Sequence, residues 1–191
     1  MGKLRKLHGS GIRVSHDFDI WERINYYEGL CGGEIPFADY AEVKAGAEEL
    51  WRRLSALDRP KTIAHIDSVP DNFILLPGAE ITETERDPEK IRLIDWEYCG
   101  MCDPLIDVSM CAIYSFMNEE QADGLLRMYL EGEPKAEERE VFYAYMALGG
   151  LLWSLWGVYK EKLGVQFSDY TIKMYRYCKD YSRKIEKLYR M

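Results

Sequence analysis

From Val141 to Tyr159 the sequence carries no charged residue, and that stretch restricts the fold more than any other. A segment so long and so free of charge is either a membrane-crossing helix or a helix covered by protein on every side. Three glycines, three tyrosines and Ser154 interrupt its apolar character, Glu137, Glu138 and Glu140 flank it, and no second apolar span accompanies it. A helix at the centre of a globular domain accounts for these features more simply. No membrane partner is expected.

Helical spacing recurs on both sides of a different central region. Asp19 can cap a helix with Trp21, Ile24, Tyr27 and Leu30 on one face, stopped by Gly32-Gly33. Asp39 opens a second, with Tyr40, Val43, Ala47, Leu50, Trp51, Leu54 and Leu57 in register, closed by Asp58-Arg59-Pro60. Short apolar runs follow: 62–64, then 73–76 ended by Pro77-Gly78, then 91–94 after the charged segment Glu83 to Lys90. Each is too short for a helix and bounded by turn residues, which predicts strands. Past Pro104, with Asp107 as the expected cap, helices are predicted over about 107–117, 119–131, 137–163 and 168–188. The expected fold class is mainly α (α+β), with short β-hairpins, in a single domain over residues 1–191.

Composition narrows the partners. The formal charge of −8 repels a phosphate backbone, and only the modest tail Arg183 to Arg190 opposes it, so nucleic acid is excluded as a partner. Five scattered cysteines suit reduced thiols in the cytoplasm better than a disulfide framework. The basic opening residues lack the apolar region of a signal peptide, and Lys6 stands where a myristoylation site needs Ser or Thr. The pair Cys99 and Cys102 has no second pair to complete a zinc site, so it is read as a turn after a strand.

The chemistry lies in His65-Ile66-Asp67-Ser68-Val69-Pro70-Asp71-Asn72, followed by a strand and then by Leu93-Ile94-Asp95-Trp96-Glu97-Tyr98. An alcohol that attacks a γ-phosphate needs a carboxylate to orient it and take its proton, and the ATP oxygens need magnesium held by hard oxygen ligands. A loop with Asp67, with Asn72 five residues on and Asp95 across a hairpin, supplies one base and two metal ligands. The two motifs resemble the H-x-D-x-x-x-x-N loop and following Asp of choline kinases and aminoglycoside phosphotransferases, the wording being especially similar to the bacterial choline kinases. The resemblance implies a protein-kinase-like C-terminal lobe and an ATP- and Mg2+-dependent phosphotransferase acting on choline or a similar amino-alcohol. It implies Asp67 as catalytic base, His65 as a brace of the loop, Asn72 and Asp95 as ligands of magnesium and hence of ATP, and Asp107 as a structural support of the catalytic loop.

Trp153 and Trp156 share one helix face, and Phe167, Asp169 and Tyr170 follow. Aromatic stripes at this spacing are commonly core, yet aromatic faces are also the natural receptor for a quaternary ammonium. The segment looks like the choline-binding stretch of choline kinases, which implies Trp153, Trp156 and Tyr170 as substrate contacts. The family usually carries a Glu seven residues after the position of Asp107. Here Tyr114 stands there and offers a π-face in place of the charge, which Glu97 or Glu119 could supply, so Tyr114 and Glu97 join the candidate substrate residues.

A complete enzyme of this type also needs a glycine-rich loop between strands and a strand lysine. Gly9-Ser10-Gly11 follows the helical pattern of Leu4 and Leu7 and is read as a helix stop, and no Val-Ala-Ile-Lys-like strand precedes His65. The resemblance therefore begins after the family's N-terminal nucleotide lobe, which is expected to be missing from this chain. Two explanations stay open: a C-lobe fragment inactive alone, or a one-lobe protein that binds an amine or a partner without catalysis. An aminoglycoside-type substrate is the alternative within the kinase reading.

Overall fold

The computed structural model describes residues 1–77 and 88–189. Gly78 and most of the charged segment from Glu83 lie outside the described residues. The chain divides into two compact units, one of Met1–Phe18 and Arg59–Arg139, the other of Asp19–Asp58 and Glu140–Met191.

The first unit opens with helix α1, Gly2–His8, where Gly9 is the expected stop and its amide returns to the Arg5 carbonyl at 2.9 Å. Strand β1, Thr62–Ala64, pairs antiparallel with a strand that the sequence reading missed, Gly100–Cys102 (β4 in chain order). The expected turn at Cys99 to Cys102 is corrected by this pairing. Glycine is required at position 100, because a Cβ there would lie 2.8 Å from the backbone nitrogen of Phe18. Strands β2, Phe73–Leu75, and β3, Ile91–Leu93, form a second antiparallel pair, with Phe73 opposite Leu93. Helices α4, Leu105–Tyr114, and α5, Glu119–Leu130, complete the unit, α5 opening on a capping box between Asn118 and Gln121. Leu4, Ile63, Ile66, Ile106, Met110, Ile113 and Leu126 are buried in its core.

Helix α4 starts earlier than expected, and Asp107 is not its cap. Asp103 instead accepts the Leu105 amide at 2.9 Å and the Arg59 guanidinium at 2.6 Å. Asp107 is thereby left inside the first turn, its carboxylate free for another task.

The second unit is helical: α2, Ile20–Leu30; α3, Tyr40–Ser55; most of α6, Ala136–Lys162; and α7, Ser168–Tyr189. Asp19 caps α2 as expected, accepting the amides of Trp21 (2.7 Å) and Glu22 (3.2 Å). Asp39 precedes α3 but makes no capping bond. Its carboxylate accepts the Tyr175 hydroxyl at 2.8 Å and the Lys179 ammonium instead, which ties α3 to α7.

The uncharged stretch forms the body of α6. From Val141 to Val158 only Tyr145 and Trp156 escape burial. Among the described residues this is the one helix long and apolar enough to cross a membrane, and 89% of its apolar window is covered by protein. Gly150 explains how closely α7 approaches it: a Cβ there would meet the Met174 carbonyl oxygen at 2.6 Å and the Cys178 nitrogen at 2.7 Å. The mainly helical class, with a few short strands, is as the sequence indicated.

Candidate active site

The loop after β1 is held by one buried carboxylate. Asp107, fully buried on α4, accepts the backbone amide of His65 at 2.8 Å and that of Ile66 at 2.6 Å. Its own carbonyl accepts the Ser68 hydroxyl at 2.6 Å. Ile66 adopts φ 70°, a conformation costly for a β-branched side chain. The two Asp107 bonds offset that strain and fix the direction in which the next residue, Asp67, leaves the backbone.

Asp67 is half-buried, and its carboxylate accepts a hydrogen bond from the Asn72 side-chain amide at 2.9 Å. The same amide nitrogen donates to the Asp67 carbonyl, also at 2.9 Å. A short 3-10 turn, Pro70–Asn72, brings Asn72 back to this position. With its nitrogen so used, the Asn72 side chain keeps its oxygen for another partner.

The β2–β3 pairing delivers the second carboxylate. The Ile94 amide donates to the Asn72 carbonyl at 3.1 Å, so the residue after Ile94 emerges beside the loop. That residue is Asp95, exposed and with φ 63°. His65 braces the junction: its Nε2–H donates to the Ile94 carbonyl at 2.7 Å, and its ring meets Trp96 edge-on at 4.7 Å. His65, Asp67, Asn72 and Asp95 are thus gathered within the first unit.

Sequence reasoning missed His8. Its Nε2–H donates to the Asp107 carboxylate at 2.9 Å, and its Nδ1 lies 2.8 Å from the Tyr129 hydroxyl. The chain from Tyr129 through His8 to Asp107 and on to the loop amides is a polar network in a buried setting, where each missing member is costly. A histidine directly after the apolar Leu4 and Leu7 was the signal that could have shown it.

The remaining candidates fall into two groups. In the second unit, Trp153, Trp156, Phe167 and Tyr170 form an aromatic cluster. Trp156 stands 6.1 Å from Trp153, 4.9 Å from Phe167 and 6.0 Å from Tyr170, ring centre to ring centre. Trp153 is buried in the core, while Trp156, Phe167 and Tyr170 are half-buried and retain accessible surface. In the first unit, Glu97 is exposed after β3 and Tyr114 ends α4 half-buried.

Hard oxygen donors fit magnesium. The Asn72 amide oxygen and the Asp95 carboxylate are such donors, and among the described residues no cluster of three or more His, Cys, Asp or Glu side chains forms a closed metal cage. A cation that shares its shell with phosphate oxygens and water needs only one or two protein ligands.

Residues 22–140 match the profile of the phosphotransferase enzyme family. Protein LicA of Haemophilus influenzae is 28% identical over 186 residues, covering 91% of this chain and 64% of that protein. Two solved structures share the architecture. The choline/ethanolamine kinase family protein from Mesorhizobium loti superposes with a TM-score of 0.79 at 29% identity, over 94% of this chain and 59% of that one. Choline kinase LicA from Streptococcus pneumoniae gives 0.75 at 31%, over 95% and 60%. The chain spans about three-fifths of the length of the relatives it matches.

Proposed function

Because the chain belongs to the phosphotransferase enzyme family, we propose that it serves the transfer of the ATP γ-phosphoryl group to the hydroxyl of choline or a similar amino-alcohol. The observation that carries this reading is the Asn72–Asp67 side-chain bond on a loop locked by Asp107, with Asp95 next in sequence to Ile94, whose amide bonds the Asn72 carbonyl.

In the proposed step Asp67 accepts the proton of the substrate hydroxyl as its oxygen bonds to the γ-phosphorus. The bond from phosphorus to the β–γ bridging oxygen breaks, and ADP leaves with that electron pair. The Asn72 amide orients the Asp67 carboxylate, and its oxygen together with Asp95 would hold magnesium. When bound, magnesium neutralises the phosphate charge.

For the acceptor, the half-buried rings of Trp156, Phe167 and Tyr170, backed by Trp153, offer π-faces to an ammonium that cannot be hydrogen-bonded. Tyr114 in place of the family's usual acid is the reason to include other amino-alcohols beside choline. Residues 1–191 are read as one kinase-like C-terminal lobe. The five unpaired cysteines suit a reducing compartment such as the cytoplasm. The sequence holds no glycine-rich phosphate loop between strands and no Val-Ala-Ile-Lys-like lysine, so these 191 residues alone are expected to turn over ATP poorly or not at all.

Phosphorus NMR of the chain joined to an N-terminal nucleotide lobe of the family, incubated with ATP, magnesium and choline, ethanolamine or kanamycin, tests the proposal. A phosphomonoester of choline or ethanolamine is expected. Phosphorylation of kanamycin alone would refute the acceptor assignment, and no phosphorylation of any acceptor would refute the activity.

A further inference from the structure

The aromatic cluster of the second unit already has a cation on it. Lys160 stands one turn after Trp156 on α6, and a helical side chain leans towards the preceding turn, so its stem folds back over that ring. Its ammonium lies 5.4 Å from the Trp156 ring centre, within cation–π range. Among the described residues this ammonium has no hydrogen bond or ion pair. The carboxylate next to it in sequence, Glu161, accepts the Thr171 hydroxyl at 3.0 Å, and Glu34 pairs with Lys162 at 2.7 Å. In a chain with eight more acidic than basic side chains, a half-buried lysine that rests on an indole and not on a carboxylate is a notable exception.

We propose that Lys160 is a tethered competitor for the aromatic cluster, so that a quaternary ammonium ligand reaches the Trp156 ring only by displacing the lysine. This rests on the reading of the cluster as the ammonium receptor. Phe167 and Tyr170 crowd the same indole with tilted and edge-on contacts, which limits the ring surface open to a second cation. Two positive charges on one ring also repel. The affinity observed for any cation at this site is then its intrinsic affinity divided by a factor belonging to the lysine alone. One exposed cation–π contact corresponds to roughly a two- to five-fold factor in binding. The factor is the same for every singly charged ligand, because it reflects how often the lysine occupies the ring.

Calorimetric titration of the wild-type chain and the variants K160Q, K160M, K160R and W156L with choline and with tetramethylammonium tests this, with thermal melts to establish that each variant is folded. K160Q and K160M are expected to bind both ligands about two- to five-fold more tightly and by equal factors, whereas K160R, which keeps a cation over the ring, stays near wild type. A purely structural role for Lys160 would give neither equal factors nor the contrast with arginine. If W156L abolishes binding while K160Q and K160M leave it unchanged or weaker, the competitor is refuted and the receptor reading stands. If W156L binds as well as wild type, the receptor reading fails and takes the competitor with it.

Discussion

Replacing Asp107 by Asn tests how the catalytic loop is held. The carboxylate is fully buried and takes three N–H donors: the Ile66 amide on Oδ1, and the His65 amide and His8 Nε2–H on Oδ2. An asparagine presents one oxygen and one NH2. Its better orientation keeps the oxygen on the histidine side and turns the NH2 towards Ile66, leaving that amide buried and unpaired. An orphaned buried donor costs about 1–3 kcal/mol, and the donor–donor clash at a strained φ of 70° puts the expected loss in the upper part of that range, about 2–3 kcal/mol. For a chain of this length each kcal/mol lowers Tm by about 2–4 °C, so D107N should melt about 4–12 °C below wild type. Scanning calorimetry measures the shift, and amide hydrogen exchange locates it: exchange at His65 and Ile66 should accelerate while the α6 core amides change less. A Tm within about 2 °C of wild type, or unaltered exchange at Ile66, would refute the argument that Asp107 fixes the loop.

Three further outcomes are expected. Gly150→Ala should destabilise by about 1–3 kcal/mol in urea unfolding, because its Cβ meets the α7 backbone, whereas Gly124→Ala on α5, where nothing lies within 4 Å, should stabilise by about 0.5–1 kcal/mol. Equal effects at the two glycines would contradict the close approach. Burial, and after it the charge of Asp107, pushes the Tyr129 hydroxyl up to about 12. The unfolded chain ionises Tyr129 near pH 10 while the folded chain does not, so its contribution is intact below pH 10 and is lost as pH rises to about 12. Urea midpoints across that window should fall less steeply in Tyr129→Phe, and parallel curves would remove the assignment. Burial likewise raises the Cys178 thiol to about 12, so iodoacetamide should label it at pH 8 only after denaturation. Modification in the native protein would show that α7 is less tightly packed.

Local patterns in the sequence were read correctly where the physics is local. The 62–64 strand, the Asp19 cap and the long α6 each depend on residues within a few positions of one another. The spacing of Asp67 and Asn72 belongs to the same class, since the bond between their side chains spans only five residues. What stayed hidden is long-range. His8 and Asp107 are 99 positions apart, and although the apolar residues before His8 hint that it is buried, nothing near it names Asp107 as its partner. Asp39 and Asp107 both look like helix caps, because a carboxylate at a helix start is a favourable cap in isolation. In the fold, the ammonium of Lys179 and the loop amides compete for them and win. Strand β4 was lost because Gly100 suggests a turn, whereas it serves the close passage of Phe18. The position of Lys160 over the Trp156 indole depends on how its side chain folds back along α6, which no residue type in the sequence announces.

Transfer of radiolabelled γ-phosphate from ATP to choline by the chain joined to an N-terminal nucleotide lobe puts the central claim to the most direct test when the wild-type and D67N forms are compared at equal folded fraction. Removal of the carboxylate that takes the hydroxyl proton should lower the rate about 100-fold or more with Tm little changed. Transfer by D67N at the wild-type rate would contradict the assignment of Asp67 as the base.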